Sequence, residues 1–445
     1  MKTSITHSIL RSVRAVAIVL LALWSGITAP SYGQRPPSSS DRDRGRVMLD
    51  AIKDDLKKNY YDPSFHGMNL DVRFKAADEK IKQAQSLGQI FGIIGQVLIE
   101  LEDSHTFFLP PGRSNRTEYG WEMKVIGAKC YVTAIKPGSD AAAKLQEGDE
   151  VVSIDGRPPT RENLWKLKYL YRALRPQPGM HLVIAKPNGE RQELDVLARV
   201  QQDRRLIDLT DGNEIWHLIR ESQRESRLHR HRYLEGEDFF IWKMPEFDLT
   251  KLGVDEVVDK FRKKKGLILD LRGNPGGYEE TLLRLISNLF DHDVRIGDLK
   301  RRTETKSLST KTRGDRTFAG KLVVLIDGES ASAAELFARV VQLEKRGIVI
   351  GDVSEGAVMR SREFSHELGV GIVSFYGVSI TDADIIMTDG KSLEHVGVVP
   401  DEIRLPAATD LAAKRDPVLA YAASLLGLTM SPEKAGALFP LEWRK

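Results

Sequence analysis

Two stretches of this 445-residue chain repeat one pattern that few folds accommodate. In the first, KGLILDLRGNPGG (265–277), an apolar run breaks into glycines and gives way to EETLLRLISNLF (279–290), which is apolar at helical spacing. In the second, KLVVLID (321–327) breaks into GESASAAE (328–335) and continues as ELFARVVQL (335–343). A short apolar run that ends in small residues reads as a buried strand and a tight turn, and the amphipathic stretch after it as a helix. Two such units in succession imply a largely parallel sheet with right-handed crossovers. Sites in such sheets lie beyond the carboxyl ends of the strands, so Gly276, Gly277 and Ser332 are expected to face one crevice.

The chemistry of those turns follows from where they stand. A serine lifted above the sheet at a helix N-terminus has free N–H groups and the helix dipole beside it, which favour the negative charge a nucleophile develops. The competing explanation is an ordinary serine N-cap. The PGG turn lacks the lysine of a phosphate loop and the spacing of a dinucleotide fingerprint. Glycine N–H groups aimed at an oxyanion account for it better.

Composition bounds the rest. Hydrophobic residues at 41% and charged residues at 29% describe an ordinary soluble protein with two or three domains. Residues 1–33 depart from this: Lys2, Arg11 and Arg14 precede the apolar AVAIVLLAL (15–23), and small residues stand near Gly33. A secretory signal cleaved after Gly33 is expected, the apolar core being shorter than the roughly 20 residues of a membrane span. These 33 residues hold three of the 66 basic residues and none of the 63 acidic ones, so the remainder is formally neutral. That balance gives no footprint for nucleic acid. Cys130, the single cysteine, rules out an internal disulfide and falls in an apolar run, as a buried strand residue would. No cofactor or metal is implied, since the cysteine and scattered histidines form no ligand cluster.

Along the chain, residues 34–45 are polar and Pro/Ser-rich and read as a flexible linker. Residues 46–113 show helical periodicity, with Met48, Leu49, Ile52 and Leu56 on one face, and form an N-terminal helical domain. It ends in LEDSHTFF (101–108), where His105 is placed to act as a general base or as a capping residue. Residues 114–200 are β-rich, 201–236 form a charged connector, and 237–445 hold the paired units. His229 and His231, in so basic a segment, are poor metal ligands.

The run PGSDAAAKLQEGDEVVSIDG (137–156) resembles a PDZ domain of the bacterial protease-associated kind. The resemblance implies capture of a peptide C-terminus by strand addition, with the backbone of Tyr119, Gly120 and Trp121 meeting the terminal carboxylate. Taken with YYDPSFHGMNL, LEDSHTFF, GLILDLRGNPGGY, VLIDGESASAAELFA and EHVGVVPDE in this order, the chain from about 46 to 425 resembles the C-terminal processing and tail-specific serine peptidases, which include the tricorn core protease. The implied fold is multidomain, with an α/β peptidase core of crotonase/ClpP-like ββα units, the PDZ-like domain and the helical front section.

The resemblance makes Ser332 the nucleophile and Ser330 the second choice. Its processing branch uses a lysine base, but Ala357 stands at that position and no lysine lies between Lys345 and Lys391. Arg360 does not substitute, because a guanidinium keeps its proton near neutral pH. The tricorn-like branch uses Ser-His-Ser-Glu, which Ser104, His105, Ser332 and Glu394 match, with His395 a neighbouring stand-in. The oxyanion would be held by the N–H of Ala333 with that of Gly276 or Gly277. The expected protein is an exported, periplasmic or extracellular serine endopeptidase acting on protein or peptide substrates. The alternative is an inactive homologue that binds peptides or small hydrophobic ligands through the PDZ-like unit and the empty cleft.

Overall fold

The computed structural model describes residues 37–113, 115–202, 230–369 and 374–443. The expected export signal and residues 203–229 of the charged connector lie outside them.

The paired units build the centre of the molecule. A six-stranded sheet runs in the order Glu402–Ile403, Ile348–Gly351, Lys321–Ile326, Gly266–Asp270, Phe239–Lys243, Arg232–Glu235. All neighbours are parallel except the last pair, where Arg232–Glu235 closes an edge antiparallel to Phe239–Lys243. This strand lies within the expected connector, so the core begins near 232 rather than 237. Burial on both faces explains the continuous apolar runs. Phe240, Trp242, Leu267, Leu269, Leu322 and Val324 face the helices Lys251–Phe261, Glu279–Leu289 and Ala333–Leu343. Ile241, Ile268, Val323, Leu325 and Ile350 face the helices Pro417–Leu425 and Pro432–Ala437. Asp270 pairs with Leu325, so the two glycine- and serine-rich turns leave the sheet side by side.

A second sheet carries the histidine. Strand Phe107–Leu109 pairs antiparallel with the long strand Ser374–Met387, Phe108 opposite Val378. Phe108, Tyr376, Val378 and Ile380 are buried against Leu49, Ile52, Ile94 and Leu98 of the front helices Ser39–Asn59 and Leu87–Ile99. Packing of that apolar stripe fixes the loop just before Phe107, which holds Ser104 and His105.

The expected linker at 34–45 is corrected in its described part. Helix Ser39–Asn59 starts there, because Ser38 and Asp41 form a capping box: Asp41 N–H donates to Ser38 Oγ at 3.1 Å and Ser38 N–H to Asp41 Oδ2 at 2.9 Å. Gly45 is buried against Ile90, with no room for a side chain.

Residues 121–197 form a five-stranded antiparallel sheet with Trp121–Ile126 at one edge and Arg191–Leu197 at the other. Short helices Asp140–Lys144 and Leu164–Tyr169 cover it, and Cys130 is buried within it. This unit is tied to the turn before Ser332. Lys124 Nζ donates to Asp327 Oδ2 at 2.9 Å, and Arg161 pairs with Asp352 at 2.8 Å. Among the described residues no helix is long and apolar enough to cross a membrane.

Candidate active site

Ser332 stands at the junction of turn and helix with φ 52° and ψ −118°. A non-glycine residue there carries strain on the order of 1–3 kcal/mol and persists only where its surroundings over-determine it. Four contacts do so. Ser332 N–H donates to Ala357 O at 2.9 Å and to Glu335 Oε2 at 3.0 Å. Ala331 N–H donates to Asn274 O, and Gly276 packs against the Ser332 side chain. Ser332 Oγ has no hydrogen-bond partner among the described residues.

Ser330 serves the turn itself. It is fully buried, its Oγ donating to Leu271 O at 2.9 Å and accepting Asp327 N–H at 2.9 Å, whereas Ser332 is half-buried.

The glycine turn packs against the serine. Gly276 has φ +96°, and a Cβ there would lie 2.7 Å from Ser332 Cβ and 3.0 Å from Ala333 N. Of the two glycines expected as oxyanion donors, Gly276 has its N–H engaged by Asn274 Oδ1 at 2.8 Å. The N–H groups of Gly277 and Ala333 have no acceptor among the described residues.

Ser104, His105 and Glu394 form one hydrogen-bonded chain. Glu394 Oε1 accepts Ser104 N–H at 2.8 Å, Oε2 accepts Ser104 Oγ–H at 2.9 Å, and Ser104 Oγ lies 2.7 Å from His105 Nδ1. A hydroxyl has one proton, and here it goes to the carboxylate. Ser104 Oγ therefore accepts from Nδ1–H, which leaves Nε2 unprotonated and without a partner among the described residues. Burial pushes the imidazole down to about 4, with the Asp103 charge opposing, so the ring is neutral at pH 7. Burial likewise pushes Glu394 up, against the N–H groups of Ser104 and Val358. Asp103 is buried and holds the loop, its Oδ1 accepting His105 N–H at 2.9 Å and Thr106 N–H at 2.7 Å.

One short segment joins the two halves. Ala357 O receives Ser332 N–H, and the next residue, Val358, donates its N–H to Glu394 Oε2 at 2.8 Å. His105 Nε2 and Ser332 Oγ are not hydrogen-bonded to each other. Catalytic hydrogen bonds commonly tighten only once a ligand is bound. His395 is a turn residue, exposed, with φ 60° and its Nε2 2.6 Å from Glu102 O.

The expected peptide-binding loop opens the edge strand. Tyr119 is buried, its OH donating to Tyr171 O and accepting Gln177 N–H. Gly120 has φ +74° and packs on Ser139, and the indole N–H of buried Trp121 has no partner among the described residues. Tyr119, Trp121, Met123, Tyr171 and Met180, with Lys168 and Arg172, line a small pocket there.

Sequence reasoning missed Asn274, Glu335 and Val358. Glu335 had a signal, since Ser332-Ala-Ala-Glu335 has the spacing of a capping box. Asn274 and Val358 act through contacts that no local pattern announces.

Residues 241–404 match the model of peptidase family S41. The tail-specific protease of Haemophilus influenzae is 25% identical over 404 residues, covering 84% of this chain, which spans 54% of that relative. Carboxyl-terminal-processing peptidase 2, chloroplastic, of Arabidopsis thaliana is 24% identical over 425 residues, covering 90% of this chain and 76% of that one. The fold is shared with mature CPAF complexed with lactacystin, with a TM-score of 0.62 at 15% identity over 84% of this chain and 96% of that one. It is shared too with the photosystem II D1 C-terminal processing protease, with a TM-score of 0.51 at 18% identity over 89% and 99%. The chain is thus similar over most of its length to carboxyl-terminal processing and tail-specific proteases, and residues 241–404, within its α/β core, match peptidase family S41.

Proposed function

We propose that this chain is an exported serine peptidase that hydrolyses peptide bonds with Ser332 as nucleophile and His105 as general base. The observation that carries the reading is the chain Glu394–Ser104–His105. It leaves a neutral imidazole whose Nε2 has no partner among the described residues, and its Glu394 end is held by Val358 N–H, next to the Ala357 carbonyl that holds the Ser332 turn. Ser332 Oγ attacks the substrate carbonyl carbon as its proton passes to His105 Nε2. The tetrahedral oxygen takes the N–H groups of Ala333 and Gly277. Collapse breaks the C–N bond, and His105 returns the proton to the leaving amine. Water, activated by the same ring, then releases the acyl group. Ala357 at the place of a lysine base makes the histidine route the one available to this sequence.

The five-stranded unit is proposed to receive substrate C-termini. Trp121–Ile126 is an edge strand able to accept an added strand, and the orphaned Trp121 indole N–H borders the cleft beside it.

A fluorophosphonate probe tests the catalytic reading. Peptide mapping after treatment of the folded chain is expected to find the phosphonyl group on Ser332, with none after heat denaturation. A folded chain unlabelled at Ser332 overturns it.

A further inference from the structure

We propose that Glu335 is the positioning residue that holds Ser332 in its strained backbone and keys it to the segment anchoring the histidine relay. The inference rests on the peptidase reading and extends it to a residue that touches no substrate.

Glu335 is fully buried, and its carboxylate accepts four donors. Oε1 takes Ser354 Oγ–H at 2.5 Å and Gly356 N–H at 2.8 Å, while Oε2 takes Ser332 N–H and Ala357 N–H, both at 3.0 Å. A helix cap needs only the bond to Ser332. The other three come from 354–357, the loop whose next residue, Val358, donates to Glu394. One carboxylate thus fixes the backbone of the nucleophile and the distance from it to the Glu394–Ser104–His105 chain. Glycine at 356, with φ +78°, lets that loop pack closely on the backbone of residues 395–397, just after Glu394. Displacement of a nucleophile by about 1 Å costs on the order of 10²-fold in rate, so such a clamp acts on turnover rather than binding.

The clamp works only when ionised, because a carboxyl proton would face donors on every side. Burial pushes Glu335 up to about 7, the four hydrogen bonds opposing. The ionisable group facing it is Glu355, itself pushed up to about 8 by burial and by the charges of Glu335 and Glu329, with Lys168 opposing. Protonation as the pH falls through the Glu335 value therefore removes activity. His105 loses its proton near 4, well below, and does not set this limb.

Steady-state hydrolysis of an unfolded protein by purified Glu335→Gln and Ser354→Ala, from pH 5 to 9, tests the clamp. Glu335→Gln puts an amide N–H₂ among the donors. Its kcat is expected to fall roughly 100-fold with KM within threefold, and the rate of fluorophosphonate labelling to fall in parallel. Ser354→Ala removes one donor from the charged form and is expected to move the acidic limb up by about one pH unit. A merely structural role would lower the melting temperature and leave that limb in place. A folded Glu335→Gln with wild-type kcat overturns the clamp, as does an unmoved limb in Ser354→Ala; the second measurement carries the test if the first variant does not fold. Failure of the peptidase reading would look different, because Ser332→Ala would then hydrolyse the substrate as well as the parent chain.

Discussion

Ser332→Ala is expected to lower kcat for hydrolysis of a loosely folded protein by roughly 10³- to 10⁶-fold and to leave the fold unchanged. The size follows from removing the proposed nucleophile while the proposed oxyanion donors Gly277 and Ala333 stay in place to supply the residual rate. Stability should hardly change, for a reason visible in the site. Ser332 Oγ has no hydrogen-bond partner among the described residues, so its loss orphans nothing. Alanine meets the same strain at φ 52° as serine, and the Ser332 N–H bonds to Ala357 O and Glu335 Oε2 are backbone bonds that survive. The measurement is paired: turnover, and a thermal melt within about 2 °C of the parent, as befits a substitution that touches no core or network. Full hydrolysis by the variant would remove Ser332 from the chemistry. His105→Ala is expected to lose as much, since nucleophile and base act as one unit and their losses do not add.

How much of this was legible in the sequence depends on the range over which the information acts. The strand–turn–helix units were legible because burial on both sheet faces writes itself into consecutive residues: Ile241, Ile268 and Val323 face one layer, and Phe240, Leu267 and Leu322 the other. The pairing of Asp270 with Leu325, and so the adjacency of the two turns, is what neighbouring parallel strands of two like units produce. Ser104, His105 and Glu394 were nominated by resemblance. No periodicity links positions 290 residues apart, and only the folded chain joins Ser104 Oγ to Glu394. The choice between the two glycines was invisible, because it turns on an asparagine side chain folding back to take the N–H of Gly276. The choice of serine rested on the resemblance, and burial of Ser330 against Leu271 O now supplies a physical ground for it. The linker was misread for a compositional reason. Ser38 to Arg44 is polar enough to pass for a tether, yet its Ser-x-x-Asp spacing is a helix start, and the apolar face appears only from Met48 onward.

Gly276→Ala is expected to slow fluorophosphonate labelling of Ser332 by at least about 100-fold while the protein remains folded. Two effects separate here. At φ +96° any L-residue is strained, costing roughly 1–2 kcal/mol. The new methyl would also lie 2.7 Å from Ser332 Cβ and 3.0 Å from both Ala331 O and Ala333 N. Two of those three are backbone atoms, and Ser332 Cβ is fixed to a backbone already held by Glu335 and Ala357, so no flexible side-chain tip can yield. What must move is the serine or the glycine turn, and either motion separates Ser332 Oγ from the N–H groups of Gly277 and Ala333. Gly138→Ala isolates the first effect, because Gly138 has φ +75° with nothing within 4 Å of its would-be methyl. It is expected to lower the melting temperature by a few degrees and to leave labelling at the parent rate. Were Gly276→Ala to label as fast as Gly138→Ala, the close approach of the glycine turn to Ser332 would have no part in placing the nucleophile, and the oxyanion assignment to Gly277 would fall with it.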